Sequence, residues 1–203
     1  MLHIRTRTEY SFRKAYGPID SLMSISGEAM GIADAGTWGH VAFNNACKKA
    51  KVKPLFGVEI AVVEDAKDRS RQPINYMAFI AKNNSEIYQI VTKSTDKDNF
   101  YYIPRISYYD LFEISENVIV LTGASPNLGL IPLTKKKHIY FEINPMTSKK
   151  SFLWAKDKRF QFVATSDNYY PKVTDKKAYE VLVGINRTER TKPMHLLNEH
   201  EMV

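Results

Sequence analysis

The chain has 203 residues, 44% of them hydrophobic and 25% charged, which is enough for one α/β domain and close enough to the globular average to exclude disorder. Its 29 Lys and Arg exceed its 22 Asp and Glu, and the net charge of +7 permits a polyanionic partner without requiring one. The one cysteine, Cys47, excludes an internal disulfide and a cysteine-based zinc site, and the absence of a signal peptide or a membrane-length apolar run leads us to expect a soluble cytoplasmic protein.

Residues 2–6 alternate, with Leu2, Ile4 and Thr6 on one face and His3, Arg5 and Arg7 on the other, so a strand is expected. The ordinary expectation for its arginine face is an edge or a solvated surface. After a loop over 10–17, Pro18 suits the first turn of a helix carrying Ile19, Leu22, Met23 and Ile25, and ending near Gly27. Residues 30–34 read as a buried strand with Asp34 at its end. Residues 40–51 read as a helix with Val41, Phe43 and Ala46 inward and lysines in its last turn. The strand over 54–63 carries one acid, Glu59, among apolar residues, and a buried lone carboxylate needs a partner or a metal.

A charged turn over 65–73 leads to a strand over 76–81 and a helix over 85–94, for which Asn83, Asn84 and Ser85 are candidate caps. The tyrosine-rich stretch 100–109 reads as a connection into a short helix near 108–114. Further strands are expected over 117–122, 138–143 and 160–165, with a short helix over 148–155. The last helix, 174–186, has Thr174 as cap and Ala178, Val181, Leu182 and Ile185 as its apolar stripe. Beyond 187 the pattern weakens. Strands alternating with helices predict parallel strands in an α/β sheet or barrel, with polar chemistry at the strands' C-terminal ends, where Asp34, Gly123-Ala124 and Asp167 fall.

The order of motifs resembles the PHP (polymerase and histidinol phosphatase) domain of the bacterial DNA polymerase III alpha subunit. The family's H-L-H-T-H-S-E-Y-S resembles His3-Ile4-Arg5-Thr6-Arg7-Thr8-Glu9-Tyr10-Ser11, and its A-L-T-D-H-G resembles Gly31-Ile32-Ala33-Asp34-Ala35-Gly36. K-P-I-I-G-x-E is similar to Lys53-Pro54-Leu55-Phe56-Gly57-Val58-Glu59, and H-L-V-L-L-A-K-N to Tyr76-Met77-Ala78-Phe79-Ile80-Ala81-Lys82-Asn83. Pro104-Arg105-Ile106, Ile119-Val120-Leu121-Thr122-Gly123-Ala124 and Val163-Ala164-Thr165-Ser166-Asp167-Asn168-Tyr169-Tyr170 continue the series, and Glu199-His200-Glu201-Met202 resembles the family's closing turn. The segment between Ala124 and His138 is shorter than in the family, as in a trimmed, phage-type version.

The resemblance implies a distorted (β/α)7 barrel over 1–203 as a single domain. In active members, His and carboxylate ligands crowd at the strand ends around divalent metals that hydrolyse phosphodiesters. At the family's ligand positions this chain carries Arg5, Arg7, Lys14, Ala35, Glu59, Tyr76, Ala124, Asp167 and Tyr169. Only Glu59 and Asp167 keep ligand chemistry, and Asp34 is kept as a ligand's neighbour. Arginine and lysine offer no lone pair at neutral pH, so no metal is expected, the alternative being Mn or Zn at Glu59 and Asp167. Cations would instead stand where metals stood, with Arg5 and Arg7 paired to Glu59, Asp167 and Asp34. A third use of Arg5, Arg7 and Lys14 is phosphate binding, with Tyr76, Tyr101, Tyr102, Tyr108, Tyr109, Tyr169 and Tyr170 as stacking surfaces.

The expected function is therefore a catalytically degenerate PHP domain, a scaffold and docking module of a replicative DNA polymerase. Its partners would be the remaining polymerase modules and a proofreading exonuclease, with nucleic acid met through the parent polymerase and no membrane. The enzymatic alternative is a metal-dependent phosphoesterase or 3'-5' exonuclease with a site rearranged around Asp34, Glu59 and Asp167.

Overall fold

The computed structural model describes residues 2–135, 137–184, 192–198 and 200–201. Ile185 and Asn186 of the expected last helix, and Glu199 and Met202 of the closing motif, lie outside them. The elements in order are β1 (His3–Thr6), α1 (Ile19–Met23), β2 (Ala29–Asp34), α2 (His40–Ala50), β3 (Lys53–Val63), β4 (Asn75–Ala81), α3 (Asn84–Thr95), β5 (Arg105–Ser107), β6 (Val118–Leu121), β7 (Ile139–Ile143), α4 (Lys149–Asp157), β8 (Gln161–Ala164) and α5 (Lys176–Val183). Among the described residues no helix is long and apolar enough to cross a membrane. The chain divides into two compact units, residues 1–57 with 164–203, and residues 58–163, and β3 passes from one to the other.

In the first unit β1 lies parallel to β2, with His3 opposite Met30 and Thr6 opposite Ile32. Ile19 and Leu22 of α1, Met30 and Ile32 of β2, Phe43 and Cys47 of α2, and Val52 and Leu196 close one apolar core. Helix α2 contributes Phe43 and Cys47, spaced i and i+4 on one face, whereas Val41, expected inward, is exposed because it lies off that face. Lys51 ends α2 in a left-handed conformation, and its amide and that of Val52 return to the last carbonyls of the helix.

The two strands approach so closely that a Cβ at Gly31 would sit 2.2 Å from the Ile4 carbonyl oxygen. Backbone cannot yield to that contact as a side chain can. Gly31→Ala is therefore expected to lower stability by at least about 2 kcal/mol, read as a drop in the denaturation midpoint; an unchanged midpoint would refute the close approach.

Helix α5 differs from expectation. It starts only at Lys176, after a 3₁₀ turn over Val173–Asp175 that contains Thr174, so Thr174 does not cap it. Tyr179 is its buried residue, set edge-on to Tyr169 and tilted against Tyr170, with ring centroids 5.9 and 5.4 Å away. That aromatic packing fixes the roll of the helix, and Val181, roughly 200° further round, faces solvent, as does Leu182.

In the second unit the strand order is β3-β4-β6-β7-β8, with β5 parallel to β3 (Ala61 opposite Arg105). β6 and β7 are parallel, but β4 and β6 are antiparallel, with Ala78 opposite Leu121 and Ala81 opposite Val118. The all-parallel expectation fails there because no helix separates β3 from β4. A parallel connection between neighbouring strands ordinarily runs through a crossover of about a dozen or more residues, usually a helix, and the charged loop between β3 and β4 contains no helix. β5 was read as connection because three residues are too few for a periodic signal. The guanidinium of Arg105 fixes the flanking loops, donating from Nε to the Asn99 carbonyl at 3.0 Å and from Nη2 to the carbonyls of Ala66 at 2.8 Å and Asp68 at 2.7 Å.

Candidate functional site

The face of β1 that carries His3, Arg5 and Arg7 is buried throughout, and of the opposite face only Thr6 is buried as well. Arg5 is 4% and Arg7 2% exposed, while Leu2 on the opposite face is exposed and Ile4 half-buried. The solvated arginine face is thus overturned. A buried guanidinium requires compensation, and for Arg7 three successive residues after β8 provide it. Its Nη2 lies 2.7 Å from Asp167 Oδ1, its Nη1 donates to the Asn168 carbonyl at 3.0 Å, and its guanidinium carbon stands 4.6 Å from the centre of the Tyr169 ring. Arg5 Nη2 lies 3.8 Å from the same Asp167 oxygen.

The backbone of Arg7 is gripped as well. Its N–H donates to Asn168 Oδ1 at 3.0 Å, and Asn168 Nδ2 donates to its carbonyl at 3.3 Å, so one amide side chain takes the place of a neighbouring strand. Asp167 adopts a left-handed backbone, φ 46, which aspartate tolerates better than most residues and which is a conformation held by its surroundings.

Asp34 stands apart from the ion pairs. It is fully buried at the end of β2, and its oxygens accept from the Thr8 amide at 2.7 Å, the Thr8 hydroxyl at 2.6 Å and the Ser11 hydroxyl at 2.5 Å. The expected pairing of Asp34 with a guanidinium is replaced by these three bonds. Burial pushes its carboxyl up, against the Ser11 and Thr8 bonds and the charge of Arg7, which pull it down.

Lys14 is half-buried in the loop after β1, and Ala35 is exposed just past Asp34. In the second unit Glu59 is buried on β3, Tyr76 is exposed on β4, and Ala124 is half-buried beyond β6. Sequence reasoning passed over Glu142, which is fully buried on β7 and accepts from the Gly123 amide at 3.0 Å, while its own amide donates to Thr122 Oγ1 at 3.0 Å. The signal was available: like Glu59, it is a lone acid in an apolar run. Gly123 has φ 73, and a Cβ there would meet the Tyr76 carbonyl oxygen at 2.3 Å. Of the tyrosines expected as stacking surfaces, Tyr108 and Tyr170 are buried and Tyr169 is engaged by Arg7; Tyr102 and Tyr109 are exposed.

In the first unit the family's ligand positions hold Arg5, Arg7, Lys14, Ala35, Asp167 and Tyr169. Guanidinium and ammonium groups have no lone pair for a cation, and the one carboxylate is ion-paired to Arg7. That donor set does not fit a divalent metal. No group of three or more His, Cys, Asp or Glu side chains able to hold a metal occurs among the described residues.

In sequence the chain is similar to DNA polymerase III alpha subunits. It is 24% identical to that of Aquifex aeolicus over 91% of this chain and 19% of the relative, and 25% identical to that of Deinococcus radiodurans over 90% and 17%. The subunit of Borreliella burgdorferi is 27% identical over 64% of this chain and 12% of its own. The chain thus spans under a fifth of the length of these relatives.

In structure it is similar to an amidohydrolase from Chromobacterium violaceum, with TM-score 0.56, 11% identity and coverage of 89% of this chain and 96% of the other. A protein described as a metal-dependent phosphoesterase from Bifidobacterium adolescentis gives TM-score 0.51, 11% identity and coverage of 82% and 86%. These likenesses show an α/β, PHP-like fold of the distorted-barrel kind. The PHP domain family itself matches residues 3–170, from the start of the arginine-bearing strand through the residues that grip Arg7, and the chain belongs to that family.

Proposed function

We propose that the chain is a catalytically degenerate PHP domain, a structural scaffold and docking module within a replicative DNA polymerase that works in the cytoplasm, the host's cytoplasm if it is phage-encoded. The observation that carries this reading is the Arg7–Asp167 ion pair, in which a guanidinium serves the carboxylate that the family gives to a metal. A fixed internal cation neutralises the anion but cannot activate a water molecule as a bound metal does, so the arrangement suits stability rather than turnover. Asp34 supports the same reading, since its oxygens are taken by Thr8 and Ser11. Similarity to polymerase alpha subunits over most of the chain points to the remaining polymerase modules as partners, and a proofreading exonuclease is a further candidate partner.

The competing activity is metal-dependent phosphodiester hydrolysis. Purified protein incubated with manganese, then gel-filtered and assayed for metal and for hydrolysis of a bis-p-nitrophenyl phosphate reporter, separates the two. We expect substoichiometric metal, no turnover and a melting temperature indifferent to chelator. Stoichiometric metal with turnover that Asp167→Asn abolishes would overturn the proposal.

A further inference from the structure

Beyond the buried arginines, the loops that follow β1 and β2 display aromatic rings at the surface of the first unit. Phe12 is 69% and Trp38 55% exposed, and the two rings are stacked, with centroids 6.2 Å apart and planes 21° from parallel. Tyr10 meets Phe12 edge-on, with centroids 6.3 Å apart and an interplanar angle of 66°. Exposed rings of this size ordinarily swing freely, but the indole of Trp38 is held. Trp38 Nε1 donates to the Tyr10 carbonyl at 2.8 Å, and the indole lies so close over Gly36 that a Cβ there would come within 2.4 Å of ring atoms. The bonds of Thr8 and Ser11 to Asp34 anchor the start of the same loop.

The indole N–H is thus spent inside the protein. Phe12, stacked with Trp38 and in an edge contact with Tyr10, still leaves 69% of its surface to solvent. Next to it Arg13 is exposed on a left-handed backbone, φ 56. A stacked pair of exposed aromatic rings, with a guanidinium one residue away, matches a planar base joined to a phosphate. The net charge of +7 favours the same class of ligand. We infer that the Phe12–Trp38 stack is a platform on which an unpaired base of single-stranded nucleic acid stacks, its phosphate held by Arg13. The site is distinct from the buried Arg7–Asp167 pair, and it stands whether or not the domain is degenerate.

The test uses Trp38 as its own reporter. The chain has two tryptophans, so Trp154→Phe leaves Trp38 as the sole indole. In that background, titration with a single-stranded oligothymidylate of about ten nucleotides is expected to quench the fluorescence, and more weakly as salt rises. Phe12→Ala and Phe12→Leu are both expected to weaken binding by about 5- to 100-fold, the range for one lost base–aromatic stack, and Phe12→Tyr to retain it. Arg13→Ala is expected to reduce the salt slope by about 0.7, the value for one single-strand phosphate contact. Melting curves of these variants are expected to match the parent's, since both positions are exposed. No quenching, equal affinity of Phe12→Ala and its parent, or a slope indifferent to Arg13→Ala would each overturn the inference. So would parental binding by Phe12→Leu beside weakened Phe12→Ala, because apolar bulk would then suffice, and the surface would belong to a protein partner.

Discussion

Replacing Arg7 by alanine is expected to cost about 3–5 kcal/mol, the usual consequence of removing one member of a buried ion pair, because Asp167 is then left with only the more distant Arg5 guanidinium at 3.8 Å. For a chain of this size that is a fall of about 10 °C in melting temperature. The size follows from the geometry: Arg7 is 2% exposed, and its guanidinium serves Asp167, the Asn168 carbonyl and the Tyr169 ring together. Arg7→Lys is expected to recover only part of the loss, since a compact ammonium lacks the planar fork that reaches the carboxylate and the carbonyl at once. Added salt should leave most of the effect in place, because a buried pair is weakly screened.

A double-mutant cycle isolates the pair. Asp167→Asn is the suitable partner variant, since asparagine also tolerates the left-handed backbone at 167. The combined variant should lose clearly less than the sum of the single losses. Strict additivity, or an Arg7→Ala protein that melts like the parent, would remove the idea that a cation holds this end of the fold together.

The second large effect is at Asp34. Asp34→Ala would strand three buried donors, the Thr8 amide and the Thr8 and Ser11 hydroxyls, at an expected cost of about 3–5 kcal/mol. The pH dependence has a definite sign. Burial raises the folded-state pKa of Asp34, so the fold favours the protonated carboxyl. Its contribution is fully present below the unfolded-state value near 3.8 and is lost as pH rises through the higher folded-state value. Asp34→Asn, which cannot titrate, should flatten that falling limb in a plot of melting temperature against pH, while lowering stability by loss of an acceptor. A falling limb of the same depth in Asp34→Asn and in the parent would assign it to other groups.

Most of the fold was legible in the sequence. β1 and β2 were placed by alternation and by an apolar run, α2 by its apolar residues and the lysines of its last turn, and α3 by its candidate caps, because such local patterns are written in the chain itself. What failed did so for local physical reasons. Val41 was assigned inward from its chemistry alone, and α2 turned it outward because Phe43 and Cys47 define the buried stripe. The roll of α5 was set by Tyr179 against Tyr169 and Tyr170, contacts between segments that no single-helix pattern contains. The antiparallel pairing of β4 with β6 is a long-range choice that no local pattern contains.

The candidate site divides in the same way. The sequence by itself determined the residue types: arginines at positions 5 and 7 and a retained acid at 167, with no lone pairs from the two cations. That was enough to set aside a liganding role for positions 5 and 7, since side-chain chemistry is a property of the residue. Only the tertiary structure decided that the arginine face is buried, that Arg7 closes on Asp167, that Asn168 stands in for a strand, and that Asp34 belongs to Thr8 and Ser11. Alternation in a strand tells which residues share a face, but not which face meets protein. That depends on segments as far apart in the chain as residues 7 and 168, brought together by folding.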